Sequence, residues 1–109
     1  MAWYKVADTT TKGSGLWRVS AGGKSICLVY HDGQWFALAA DCPHAGADLS
    51  QGWCENSHVV CPFHRYRYDL STGRGATGQN DYVRTYATEV RSDGVYVEVR
   101  SLTERLFGK

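Results

Sequence analysis

Cys42-Pro43-His44, then the sixteen residues 45–60, then Cys61-Pro62-Phe63-His64: these two boxes decide how the chain is read. Two thiolates and two imidazoles suffice for either a zinc ion or a two-iron cluster. Zinc fingers usually pair like with like, both cysteines on one knuckle and both histidines on a helix. Here each box supplies one cysteine and one histidine. That suits a dinuclear centre, with the two cysteines converging on one metal and the two histidines reaching the other. The chain has only two prolines, and each directly follows a cysteine of the set. A fixed φ at that point stiffens a loop that must hold its ligand in place.

Outward from the boxes the pattern is all-β. Aromatic and β-branched residues come in short runs separated by Gly, Asp and Asn. The expected strands are Trp3–Ala7, Leu16–Ser20, Lys24–Tyr30, Gln34–Ala39, Gly52–Glu55, His58–Cys61, Tyr66–Leu70, Val83–Val90 and Gly94–Val99. Asp32-Gly33 and Asp93-Gly94 lie between apolar runs and read as hairpin turns, because both residue types tolerate positive φ. Glu55-Asn56-Ser57 and Ser71-Thr72-Gly73 read as two further turns. The stretch from Gly73 to Asn80 reads as a loop; its glycines have no P-loop lysine and no following helix, so they do not mark a phosphate site. Leu102–Phe107 reads either as one helical turn packed on the sheet or as a frayed end.

Composition narrows the function classes. A chain of 109 residues fits one domain, 1–109, and two would leave neither a proper core. Twelve basic and eleven acidic side chains leave a net charge of +1, without the basic excess of a nucleic-acid binder. The longest apolar runs, such as Ile26–Tyr30 and Trp35–Ala40, are far short of the roughly twenty residues of a membrane helix. The N-terminal Met1-Ala2-Trp3-Tyr4-Lys5 lacks the regions of a secretion signal. No membrane association and a cytoplasmic location are therefore expected. There the four cysteines would be reduced, so metal ligation or burial explains them better than disulfides.

The two boxes, with Cys42-Pro43-His44-Ala45-Gly46-Ala47-Asp48-Leu49-Ser50 around the first and Tyr68-Asp69 and Thr72-Gly73 after the second, resemble the signature of Rieske iron–sulfur domains. The resemblance implies an antiparallel β-sandwich of two or three sheets with a small cluster-binding subdomain at about 40–70. It implies one [2Fe–2S] cluster, with Cys42 and Cys61 on the buried iron and His44 and His64 on the outer iron. Histidine ligation removes negative charge from the cluster and raises its potential above that of four-cysteine ferredoxins. The implied function is one-electron transfer from a reductase to an oxygenase or other acceptor. The chain would then be no enzyme alone, since an oxygenase needs a further mononuclear iron site. Two alternatives stand beside it: the small subunit of an NAD(P)H-dependent nitrite reductase, and a zinc-stabilised binding module without a redox role.

The chain also departs from relatives of this type. Cytochrome-complex Rieske proteins join their cluster loops by a disulfide, whereas Ala47 and Phe63 occupy those positions here. Their serine two residues after the second histidine is Tyr66, while the tyrosine that can donate to a cysteine sulfur is retained as Tyr68. With fewer donors to sulfur, a potential low in the Rieske range is expected, about −150 to +50 mV. Relatives usually carry glycine directly after the second histidine; this chain carries Arg65. Cys27 and Cys54 read as buried structural thiols, and His31 and His58 as exposed turn residues. Arg65 and Arg67 read as a solvated face or as a docking point for an acidic partner. Trp53, Phe63 and Tyr66 read as shields of the cluster or as ordinary packing.

Overall fold

The short β-branched and aromatic runs form ten strands in the computed structural model, which describes residues 2–7, 15–42, 46–62, 65–76, 79 and 81–99. They are β1 (Ala2–Ala7), β2 (Gly15–Ala21), β3 (Lys24–His31), β4 (Gln34–Ala39), β5 (Trp53–Glu55), β6 (His58–Val60), β7 (Arg67–Asp69), β8 (Thr85–Tyr86), β9 (Thr88–Arg91) and β10 (Gly94–Val99). Three sheets result, in the orders β1-β10-β9, β2-β3-β4-β8 and β5-β6-β7. Every pairing is antiparallel.

Turn chemistry sets the registers. Gly22-Gly23 joins β2 to β3, and Asp32-Gly33 joins β3 to β4 at φ of 53° and 78°. Two successive positive φ values match the right-handed twist of the flanking strands. Asn56-Ser57 does the same between β5 and β6, at φ of 49° and 63°. The turn expected at Asp93-Gly94 falls one residue earlier, because Gly94 is already paired with Arg91. Glycine is needed there for a different reason: a Cβ would strike the carbonyl oxygen of Ala7.

β3 is the spine of the core. Four successive residues, Ile26 to Val29, are fully buried, so both faces of its sheet are covered. Ile26 and Leu28 pack with Ala37 of β4 and with Val95, Val97 and Val99 of β10. Cys27 and Val29, one step out of phase, pack on the opposite side with Leu38, Cys42, Leu49, Val59, Cys61, Tyr68, Leu70 and Val83. The period of two thus makes one strand serve two apolar layers. Burying each Val, Leu or Ile contributes about 1.5–3 kcal/mol.

Three expectations need correction. The single strand expected over Val83–Val90 is two, because the chain changes sheets at Ala87: β8 pairs with β4 and β9 with β10. The Ala87 carbonyl stays satisfied by the N–H of Glu98 at 3.0 Å. The strand expected from Gly52 starts at Trp53, since Leu49–Gln51 forms a 3-10 turn that the Gly52 N–H closes on Leu49. Within the expected loop from Gly73 to Asn80, Gly75 bridges to Tyr68 and Arg74 to Tyr82. Residues 102–107 lie outside the described residues. No helix among the described residues is long and apolar enough to cross a membrane.

Candidate metal centre

The first box leaves β4 through Ala40 and Asp41. The N–H of Leu49 donates to Ala40 O at 2.7 Å, and Asp41 bridges to Asp48. Inside this pair the N–H of Cys42 donates to Ala47 O and the N–H of Gly46 to Cys42 O, both at 2.8 Å. The second box leaves β6, and the N–H of Cys61 donates to Tyr66 O at 2.7 Å. Each loop is therefore closed the same way, by its cysteine's own N–H bonding the carbonyl five residues on. Each also turns through a left-handed residue directly before that carbonyl: Gly46 at φ 71° and Arg65 at φ 56°. Glycine adopts that conformation freely, as Gly46 does, whereas Arg65 adopts it at a cost.

Cys42 and Cys61 are buried, 2% and 0% exposed, within one cluster of side chains. Tyr68, fully buried in the same cluster, places its hydroxyl 3.3 Å from Cys42 Sγ. That hydroxyl also donates to Asp81 Oδ2 at 2.9 Å. Burial, with Cys42 and Asp81 as neighbours, pushes the Tyr68 hydroxyl well above its ordinary value, so it stays protonated. Asp81 is held in turn: Gln79 Nε2 donates to its Oδ1 at 3.1 Å. The Gln79 amide binds the backbone of Arg67 at both its N–H (2.8 Å) and its carbonyl (3.0 Å).

Around the first box, Asp48 caps the 3-10 turn through the N–H of Ser50 at 2.9 Å. Partial burial alone would raise the Asp48 carboxyl, but Ser50 and Arg18 outweigh it and hold it below the ordinary carboxylate value. Arg18 of β2 reaches Asp41 and Asp48, both at 3.3 Å, tying the loop to the central sheet. Arg18 and Asp41 are exposed and Asp48 partly so, and each pair is worth at most about 1 kcal/mol.

His44 and His64 lie outside the described residues. Among the described residues no group of three or more His, Cys, Asp or Glu converges on one metal position. What is placed fits a two-iron cluster on the chemistry of its donors: two buried sulfurs from two loops closed alike, with an O–H beside one of them. Hydrogen bonding to sulfur is one of the levers that set a cluster's potential.

The remaining residues separate. Cys27 is fully buried on β3, its thiol pushed up to about 12 chiefly by burial, and Cys54 is half-buried with its thiol raised for the same reason. His31 ends β3 rather than sitting in a turn. His58 opens β6, half-buried, with Nδ1 2.8 Å from Asn56 O. Arg65 and Arg67 are both exposed, and Arg67 pairs with Glu55 at 2.8 Å. Trp53 is 40% exposed and bonds Glu55, whereas Tyr66 packs against the cluster holding both cysteines. Phe63 lies outside the described residues. Sequence reasoning missed Asp81 and Gln79, for no local pattern ties a loop carboxylate to Tyr68.

Comparison with known proteins agrees with this centre. The family model of the Rieske [2Fe-2S] domain matches residues 2–90. The ferredoxin subunit of 3-phenylpropionate/cinnamic acid dioxygenase from Photorhabdus laumondii is 34% identical over 76 residues, covering 68% of this chain and 72% of the relative. The ferredoxin component of the naphthalene 1,2-dioxygenase system from Pseudomonas aeruginosa is 28% identical, covering 74% and 79%. Among solved structures, the ferredoxin of carbazole 1,9a-dioxygenase from Nocardioides aromaticivorans superposes with a TM-score of 0.78 at 25% identity, covering 92% of this chain and all of that one. A structure of a complex of reduced oxygenase and oxidized ferredoxin in carbazole 1,9a-dioxygenase matches with a TM-score of 0.78 at 26% identity, covering 87% of this chain and all of the matched one. With its two cysteines buried in one core and the family model spanning most of its length, the chain belongs to the Rieske [2Fe-2S] domain family, and its cofactor is one [2Fe–2S] cluster.

Proposed function

We propose that the chain is the ferredoxin component of an oxygenase-type system, passing single electrons from a flavoprotein reductase to a terminal oxygenase. The observation that carries this reading is the pair of like-closed loops delivering Cys42 and Cys61 into one buried cluster, in a chain similar along most of its length to ferredoxin components. The ligands are Cys42 and Cys61 on the inner iron and His44 and His64 on the outer iron. When bound, the cluster supplies reversible one-electron storage. The protein's own residues do the rest. The closed loops fix the sulfurs so that little rearranges on electron transfer, the cluster of Leu49, Val59 and Leu70 excludes water from them, and Tyr68 places its hydroxyl beside Cys42 Sγ.

In this reading residues 1–109 act as one unit, with the part at about 40–70 holding the cluster. The chain does no bond chemistry itself, binds no nucleic acid or membrane, and works in the cytoplasm. The ferredoxin relatives favour the carrier over both a nitrite reductase subunit and a zinc module. The test is an anaerobic redox titration of the purified protein, followed by mixing with the reductase and oxygenase components of a naphthalene 1,2-dioxygenase system. A single one-electron wave, with reduction by the first and reoxidation by the second, is expected. Stoichiometric zinc, or iron that does not cycle, would contradict it.

A further inference from the structure

Tyr68 has one hydroxyl proton and two acceptors. Its oxygen lies 3.3 Å from Cys42 Sγ and 2.9 Å from Asp81 Oδ2. A cysteine that ligates iron is a thiolate and can only accept. A tyrosine hydroxyl carries a single proton at neutral pH, so it can satisfy one acceptor fully or both poorly, and the nearer is a carboxylate. Hydrogen bonds to ionised acceptors are about twice as strong as neutral ones, so neither claim is trivial.

Asp81 is also built into place. Gln79 grips the backbone of Arg67, the residue before Tyr68, at both N–H and carbonyl, and donates its remaining N–H to Asp81 Oδ1. The Asp81 carbonyl accepts from the N–H of Gly75 at 2.8 Å, and Gly75 itself bridges to Tyr68. The backbone of Asp81 is thus fixed, and swinging its carboxylate from the hydroxyl would also break the bond from Gln79.

We propose that Asp81 is a positioning residue that sets the cluster's reduction potential by competing with Cys42 Sγ for the single proton of Tyr68. The inference rests on the reading of Cys42 as a cluster ligand. Adding an electron makes Cys42 Sγ a stronger acceptor, so the hydroxyl turns further towards it in the reduced state, and Asp81 resists that turn. Asp81 thus holds the potential down, offsetting the upward pull a tyrosine donor would otherwise give. Gln79 acts one step back, by fixing Asp81.

The experiment is a double-mutant cycle of midpoint potentials on cluster-loaded protein: the unsubstituted chain, Asp81→Ala, Tyr68→Phe and the double variant, with Asp81→Asn as a milder second form. EPR of each confirms the cluster first. Removing Asp81 is expected to shift the potential upward more in the Tyr68 protein than in the Tyr68→Phe background. The excess should approach a tenfold change in the oxidised-to-reduced ratio, about 59 mV for one electron. Asp81→Asn, a neutral and weaker acceptor, should shift it part of the way. Equal shifts in both backgrounds would overturn the proposal, because Asp81 would then act only as a nearby charge. No shift at all would overturn it too. Absence of a Rieske EPR signal from the unsubstituted protein would instead remove the underlying reading of Cys42.

Discussion

Arg65 occupies the left-handed region at φ 56°, the position where its partner loop uses Gly46 at φ 71°. Replacing it by glycine should stabilise the protein. For an L-residue this conformation costs roughly 1–2 kcal/mol. Glycine removes that cost but gives back roughly 0.5–1 kcal/mol, because its unfolded chain is freer. The side chain is exposed, so its loss forfeits little packing. The net gain is about 0.5–1 kcal/mol. With a urea m-value of about 2 kcal/mol/M, the unfolding midpoint of Arg65→Gly should rise by roughly 0.3–0.5 M. The assay is urea unfolding of anaerobic, cluster-loaded protein followed by far-ultraviolet circular dichroism, with Arg65→Ala as the control that keeps the strain. A midpoint that falls for Arg65→Gly, or rises equally for Arg65→Ala, would refute the strain argument.

Other consequences can be checked separately. His64→Ala should keep the β-sheet circular dichroism but lose the Rieske spectrum; a normal cluster in that variant would remove His64 from the ligand set. Gly73→Ala should cost more than about 2 kcal/mol, since φ is 77° and the new Cβ would fall on the Val83 carbonyl; an unchanged unfolding midpoint would contradict the packing. Cys27, its thiol pushed up to about 12, should resist iodoacetamide at pH 8 until the protein unfolds, and labelling at the rate of an exposed thiol would be inconsistent with its burial. Burial works to raise the Asp69 carboxyl, but the N–H groups of Thr72 and Ser71 and the nearby His58 prevail and lower it. A lowered folded value gives stability that is present above the unfolded value of about 4 and lost as pH falls through the folded one. Asp69→Ala should therefore cost about 0.5–1 kcal/mol at pH 7, with the gap narrowing in acid; a gap independent of pH would count against the charge.

What was legible in the sequence was local chemistry. Asp32-Gly33 announced its hairpin because those residues adopt positive φ cheaply, and the alternation of Val95, Val97 and Val99 announced a half-buried strand. Cys42 and Cys61 stood out as a pair because each begins a box followed by proline. The errors arose where tertiary contacts decide. Ala87 carries no breaker residue, yet the chain changes sheets there because β4 and β10 offer edges on either side. Gly94 looks like a turn glycine, but its role is to let the Ala7 backbone approach. Asp81 lies between the expected loop, which ends at Asn80, and the strand expected from Val83, and only the fold brings it to the Tyr68 hydroxyl, thirteen residues away along the chain.

The central claim is a [2Fe–2S] cluster held by two sulfurs and two imidazoles. Its most direct test is EPR of protein purified without oxygen and reduced with dithionite, with pulsed detection of nitrogen couplings. A rhombic signal of low average g, coupled to two histidine nitrogens and lost on replacing His44 or His64, is the result predicted. A signal without nitrogen coupling, or no signal together with stoichiometric zinc, would contradict it.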